Sequence, residues 1–169
     1  MSKKLTNELF EQALFNEDEL GSVIKAHLHI EYLINEVLIL LAPSPQHINS
    51  LKLDYAGKIT LLCILGMNPE FKPMLSTLGT MRNNFAHDPF YKLDKSTVKN
   101  LYNSLPPVDK ENFHNAVRET RNSEEHRHVK PYKELSPRDQ FILIVVVIRT
   151  IILKLKDQAR LKHNGLKGS

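Results

Sequence analysis

The strongest constraint on the fold comes from the segment Ser136–Leu161, which must form one continuous element of secondary structure. It contains the longest uninterrupted apolar run of the chain, Phe141–Ile148, and the β-branched residues in that run favour a strand. The residues before it, Ser136–Asp139, instead form a helix start, with an N-cap serine, a proline in the first turn and an early acid. We therefore predict a long helix. Its apolar run falls well short of the roughly 18 residues that a membrane span needs, so we expect no membrane association.

The remaining sequence shows helical periodicity, with apolar residues repeating at i, i+4 and with proline or glycine at the ends of the second, third and fourth repeats. The predicted helices cover about Ser2–Phe15, Glu17–Leu41, Ile48–Leu65 and Pro73–His87, with shorter ones at Asp94–Asn103 and Val108–Thr120. Between 90 and 135 the sequence is polar and irregular, which predicts an insertion before the last long helix. We predict one all-α domain over 1–163 and a flexible tail over 164–169.

Composition excludes several classes of protein. The 169 residues are 41% hydrophobic and 25% charged, which is typical of one globular domain and not of a disordered chain. The single cysteine, Cys63, excludes a disulfide framework and lies in an apolar helix, where a buried thiol is expected. His126 and His128 lie in a charged loop that is expected to be solvated, so no metal site is predicted. The glycines form no phosphate-binding loop, so no cofactor is expected, and the absence of a signal sequence favours the cytoplasm.

The net charge of +4 is concentrated near the end of the sequence. Arg149–Ser169 is rich in Lys and Arg and contains one acid, Asp157. One interpretation is a solvated helix end, where cations are favoured by the helix dipole. The other is a weak RNA-binding surface formed by Lys154, Lys156 and Arg160.

Three polar side chains at the end of the fourth helix are candidates for chemistry. On a helical wheel Arg82 lies at the edge of an apolar stripe, while Asn83 and His87, four residues apart, share an outward face. A guanidinium, an amide and an imidazole are suited to binding a phosphate and transferring a proton near neutral pH. The alternative is that these side chains only cap and solvate the helix end.

A second anomaly lies on the helix Glu17–Leu41. There His27, Glu31 and Asn35 fall within the apolar arc of the wheel. A carboxylate on a core-facing stripe is costly unless it is paired. Two alternatives stay open: Glu31 pairs with Arg82 of the fourth helix, or it pairs with His27 or lies at a solvated edge.

The segment Arg82–His87, Arg-Asn-Asn-Phe-Ala-His, resembles the R-x4-6-H motif of the HEPN superfamily. The preceding segments Leu53–Leu61 and Leu65–Met67, and the helix around His29–Leu33, resemble the mannitol-operon repressor-like branch of that superfamily. The resemblance covers about Gly21–Pro89, and a final long helix is compatible with it.

The resemblance implies an antiparallel helical bundle that dimerises and sets two Arg/His motifs in a cleft. Many HEPN proteins are metal-independent endoribonucleases, often toxins or defence effectors. By this resemblance Arg82 binds the scissile phosphate and His87 transfers a proton involving the ribose 2′-hydroxyl. Asn83 then positions the phosphate or His87, and Glu31 orients Arg82, with His27 as a further supporting residue. No metal is needed, because the 2′-hydroxyl is an internal nucleophile.

The same branch also implies a different role. Mannitol-operon repressor-like proteins are regulators, and other HEPN proteins pair with antitoxins or act as scaffolds. No basic helix-turn-helix signature is present in this sequence, so a regulatory role would act through a protein partner. The hypotheses are thus an RNA-cleaving dimer and a non-catalytic regulatory or interaction protein.

Two long helices with apolar residues around much of their circumference predict a homodimer. Glu17–Leu41 and Ser136–Leu161 carry more apolar surface than one small bundle readily covers. Light scattering at micromolar concentration checks this expectation, and a mass corresponding to one chain would contradict it.

Overall fold

The computed structural model describes residues 6–122 and 130–166, and the regular elements within these ranges are all helical. The α-helices are α1 (Asn7–Phe15), α2 (Glu19–Leu41), α3 (Tyr55–Ile64), α4 (Lys72–His87), α5 (Lys95–Asn103), α6 (Pro107–Asn122) and α7 (Pro137–Leu166). Short 3₁₀ helices lie at Pro45–Leu51, Pro69–Phe71 and Tyr132–Glu134. The predicted all-α fold is confirmed.

Aspartate caps set the start of three helices. The side chains of Asp18, Asp54 and Asp94 each accept a hydrogen bond from the backbone N–H three residues on, at 2.6–2.8 Å. The cap at Asp54 corrects the predicted third helix, Ile48–Leu65. The chain takes a left-handed conformation at Lys52 (φ 46°), so the first part of that segment is a separate 3₁₀ turn and α3 begins only after Asp54.

The two longest helices, α2 and α7, run parallel and side by side. Arg138 at the start of α7 donates a hydrogen bond to the carbonyl of Glu17 at 2.9 Å, and Lys156 further along α7 pairs with Glu36 at 2.8 Å. Contacts therefore advance in the same direction on both helices. The antiparallel arrangement expected from the resemblance does not apply to this pair, because the long connection between the two helices lets the chain return to its starting side.

The apolar face of α7 is covered within the chain. Its buried residues join those of α2 in one hydrophobic cluster that includes Val23, Ile30, Ile34, Phe141, Ile142, Val145 and Ile148. Helix α2, in contrast, leaves Leu28, Tyr32 and Ile39 exposed on one outward stripe. The apolar surplus behind the predicted homodimer thus remains mainly on α2, whereas α7 exposes Leu161 near its end. In the described ranges no helix combines the length and apolarity needed to cross a membrane.

The polar segment 90–135 contributes to the core. Within it α5 and α6 are regular helices, and Val98, Leu101 and Phe113 are buried in the same cluster as α2 and α7. Phe113 also makes an edge contact with Tyr132, at 5.1 Å between ring centroids, which ties α6 to the turn before α7. The described parts of this segment, 90–122 and 130–135, therefore belong to the bundle.

A buried polar cluster joins α1, α2 and α7. Arg149 of α7 is 3% exposed and donates through Nε to Nε2 of His29 on α2, at 3.0 Å. Its guanidinium also donates to Oδ1 of Asn7 on α1 and lies over the ring of Phe10, 5.4 Å from the centroid. Sequence alone places Arg149 in the basic end segment, where a solvated side chain is expected. In the structure Arg149 is instead a buried side chain that links three helices through its hydrogen bonds.

The cluster makes stability sensitive to acid, because His29 accepts the hydrogen bond from Arg149 as a neutral ring. Burial and then the Arg149 charge lower the pKa of His29 from 6.5 to about 4. As the pH falls, His29 therefore becomes protonated at a higher pH in the unfolded chain than in the folded one. The stabilisation is present above pH 6.5 and is lost as the pH falls towards 4. We expect a loss of about 1–2 kcal/mol, allowing for partial exposure of the ring.

Urea denaturation at a series of pH values measures this effect. His29→Gln keeps an acceptor for Arg149 and cannot titrate, so its free energy of unfolding should fall less steeply with acid. The control is His47→Gln, at an exposed position on the first 3₁₀ helix, which should follow the wild type. Equal slopes for wild type and His29→Gln would contradict the assignment.

Candidate functional site

A cleft of about 470 Å³ opens between α2, the start of α3 and α4. It is lined by His27 and Glu31 of α2, by Asp54, Tyr55, Ala56 and Ile59, and by Ser76, Gly79, Thr80, Arg82 and Asn83 of α4. Four of the predicted site residues, His27, Glu31, Arg82 and Asn83, are therefore brought together. His87 does not line the cleft and is exposed in the last turn of α4.

The apolar stripe of α4 sets the direction of these side chains. Met74, Leu75, Leu78 and Met81 are buried against the core, as the wheel predicts. Arg82 lies at the margin of this stripe and is half-buried, whereas the next residue, Asn83, is exposed. Arg82 Nη1 donates to Asn83 Oδ1 at 3.1 Å, so the guanidinium and the amide face the cleft as one unit.

Glu31 pairs with a cation other than the predicted Arg82. Lys58 of α3 reaches its carboxylate at 2.6 Å, and the two side chains are only 24% and 19% exposed. His27 Nδ1 lies 3.8 Å from the other carboxylate oxygen, which matches the alternative of a pair on one helix. Lys58 lies on the part of α3 that faces Glu31, so Lys58 and not Arg82 forms the ion pair with this carboxylate. Within the described residues Arg82 is consequently left without a carboxylate partner, and its charge is directed at the cleft.

His27 is a buried imidazole at the bottom of the cleft. The residue is 4% exposed, and its ring packs on the ring of Tyr55 at 4.3 Å between centroids. Burial lowers the pKa of His27, and the nearby charges of Arg82 and Lys58 lower it further, against an opposing effect of Glu31. The ring is therefore neutral near pH 7. Its Nδ1 has no hydrogen-bond partner among the described residues.

Tyr55 is held in place by α4. Its hydroxyl donates to the carbonyl of Leu75 at 3.2 Å, and burial raises its pKa, so it stays protonated. A Cβ at Gly79 would lie 2.8 Å from the Tyr55 ring, closer than packing allows. Glycine at position 79 thus lets α4 approach Tyr55, and Tyr55 in turn supports His27.

The three basic residues proposed as a weak RNA surface lie on α7 and do not line the cleft. Lys156 is paired with Glu36 at 2.8 Å, and Arg160 with Asp157 at 3.4 Å. Lys154 is exposed. Because two of the three cations are compensated by carboxylates, the positive charge of this surface is weaker than the sequence suggests.

The other histidines and the cysteine give weaker indications of a functional site. His126 and His128 lie outside the described residues, and within the described ranges no three His, Cys, Asp or Glu side chains are grouped to hold a metal ion. His114 is hydrogen-bonded to the Tyr102 hydroxyl at 2.7 Å. Cys63 is a free thiol that is only partly buried.

Sequence reasoning missed the roles of Lys58 and Tyr55. Both lie in the segment Leu53–Leu61, which carries part of the family resemblance but contains no predicted site residue. The available signal was the Asp54 cap, since a helix starting there places residues 55 and 58 on neighbouring positions of one face.

Comparison of the chain with protein-family models, with curated proteins and with solved structures finds no match. Membership of the HEPN superfamily therefore stays a prediction from the motif.

The pairing in the cleft predicts which cation supports the fold. Lys58→Met leaves the largely buried Glu31 without its partner and should lower the free energy of unfolding by about 1–3 kcal/mol. Arg82→Met removes a charge that has no carboxylate partner and should cost less than about 0.5 kcal/mol. Chemical denaturation measures both values.

A matched control is the double variant Glu31→Gln with Lys58→Met, which removes both charges and should recover part of the loss. Greater destabilisation by Arg82→Met than by Lys58→Met would instead indicate that Glu31 pairs with Arg82 in solution.

Proposed function

We propose that this protein is a HEPN-like, metal-independent endoribonuclease that cleaves RNA by attack of a ribose 2′-hydroxyl on the adjacent phosphate. The observation that carries the proposal is the uncompensated guanidinium of Arg82 in the cleft, beside the Asn83 amide and the neutral ring of His27. A guanidinium is the side chain best suited to binding a phosphate in two-point geometry.

In this proposal Arg82 binds the non-bridging oxygens of the scissile phosphate and stabilises the charge that builds on them in the transition state. Asn83, hydrogen-bonded to Arg82, orients the guanidinium or the phosphate. Lys58 keeps Glu31 neutralised, so the carboxylate does not compete with the phosphate for Arg82. The nucleophile belongs to the substrate itself, so the products carry a 2′,3′-cyclic phosphate and a 5′-hydroxyl.

His87 constrains how the site is assembled. The family resemblance assigns it proton transfer, but it lies outside the cleft on the exposed end of α4. A homodimer that brings His87 of a second copy to the cleft would supply the group. The exposed stripe of Leu28, Tyr32 and Ile39 on α2 offers apolar surface for such an association. A toxin or defence role, with a cognate antitoxin, fits a free ribonuclease of this kind in the cytoplasm.

The second candidate is a non-catalytic regulatory protein of the mannitol-operon repressor-like type, which acts through a protein partner in transcription regulation. The position of His87 favours it, because a single chain does not bring Arg82 and His87 into one cleft. In that case the α2 stripe would serve partner binding.

Incubation of the purified protein with RNA in EDTA tests the proposal. We expect cleavage to 2′,3′-cyclic phosphate ends, and a loss of about 100-fold or more for Arg82→Ala, because a transition-state charge contact is removed. The matched control is Arg118→Ala, an exposed arginine of α6 that likewise donates to an amide oxygen, that of Asn115, outside the cleft, and it should cleave like the wild type.

His87→Ala separates the two candidate functions. Loss of cleavage in this variant supports a composite site. Equal cleavage by the wild type and Arg82→Ala would point to a contaminant and contradict the proposal. No cleavage by any form would favour the interaction protein.

A further inference from the structure

The buried nitrogen of His27 needs an explanation. Nδ1 is shielded from solvent and has no hydrogen-bond partner among the described residues, although a lost hydrogen bond of a buried polar atom typically costs about 1–3 kcal/mol. Such atoms are uncommon in folded proteins and often mark functional groups. Glu31 Oε2 lies 3.8 Å from Nδ1, slightly beyond hydrogen-bonding distance.

The surroundings fix the orientation of the ring. Tyr55 packs against it at 4.3 Å, and Tyr55 is itself locked by the Leu75 carbonyl and by close contact with Gly79. Nδ1 is buried and His27 lines the cleft, so Nε2 is the nitrogen that we assign to a ligand there. A carboxylate facing Nδ1 favours the tautomer with the proton on Nδ1 and a free lone pair on Nε2.

We propose that His27 is the general base of this cleft, and that its Nε2 accepts the proton of the attacking 2′-hydroxyl. Glu31 is then a positioning residue, because it acts on the ring and not on the substrate. One chain would thus hold both the phosphate-binding Arg82 and the base, and His87 of a second copy would not be needed to take the proton of the 2′-hydroxyl. The inference rests on the proposed ribonuclease function and names the group that moves the proton.

The proposed cleavage step needs no reagent other than water. The 2′-hydroxyl proton passes to His27 Nε2 while the bond from O2′ to phosphorus forms and the bond from phosphorus to the 5′-oxygen breaks. The departing 5′-oxygen takes a proton from a water molecule at the open side of the cleft. The resulting hydroxide takes the proton back from Nε2, which restores the neutral ring.

The charges that face His27 come from three helices. Glu31 on α2 favours the protonated ring, whereas Lys58 on α3 and Arg82 on α4 disfavour it. Asp54, at the start of α3, also lines the cleft. Burial is the largest effect and lowers the pKa of His27 below its ordinary 6.5, so the basic form persists into mildly acidic solution. The rate should therefore rise with pH through a midpoint below 6.5.

The experiment follows initial rates on a short fluorogenic RNA across the pH range in which histidine titrates. His27→Gln keeps a polar side chain that cannot accept a proton. We expect its kcat to fall by about 100-fold or more with little change in KM. The acidic limb of the pH–rate profile, where the wild-type rate falls as His27 becomes protonated, should also disappear. The matched control is His47→Gln, at an exposed position of the first 3₁₀ helix outside the cleft, which should retain the wild-type rate and the wild-type fall in rate at acid pH.

Chemical rescue removes the ambiguity of a folding defect. His27→Ala leaves a ring-sized space beside Tyr55, and added imidazole should restore part of kcat. Pyrazole has the same shape but is a far weaker base, so it should not restore activity.

Three results would overturn the inference. If His27→Gln keeps the rate and the acidic limb while the wild type cleaves, the base is another group and the ribonuclease proposal still stands. If pyrazole restores as much activity as imidazole, His27 serves packing alone. If the wild type cleaves no RNA, the proposed function fails, and the role of His27 fails with it.

Discussion

Helix α2 packs against α1, α3, α4 and α7, and the other features of the structure depend on how this single helix is buried. Its face towards α7 is filled by apolar side chains, and its face towards α3 and α4 carries His27 and Glu31. Burial of those two polar residues is tolerated because Lys58 neutralises the carboxylate and Tyr55 covers the ring. The same helix therefore provides the core and one wall of the cleft.

Charge in the cleft is divided between two cations with different roles. Lys58 is committed to Glu31 and belongs to the folded structure. Arg82 is held at the edge of the α4 stripe with only an amide as its partner. In the proposed ribonuclease site this division leaves Arg82 available to a phosphate, because a guanidinium already paired with a carboxylate would have to lose that partner first.

The sequence predicts the helices, the α4 stripe and the unusual position of Glu31, because each of these follows from spacing along one chain segment. It does not predict Lys58 as the partner of Glu31, since the wheel of one helix does not specify which helix packs opposite it. The burial of Arg149 cannot be predicted from the sequence for the same reason, because its acceptors, His29 and Asn7, are distant in sequence. The left-handed turn at Lys52 depends on local backbone geometry that residue type alone does not indicate.

The parallel packing of α2 and α7 has a consequence for how the chain folds. Partners such as Glu36 and Lys156 are 120 positions apart, so the central contact is non-local even though every element is a local helix. Closing so large a loop costs entropy before the packing energy is gained, and helical proteins with such contacts fold more slowly than simple up-and-down bundles. During synthesis the apolar face of α2 leaves the ribosome well before α7 exists to cover it. Over that interval the nascent chain carries an apolar helix face without its partner, which is the condition under which folding chains aggregate.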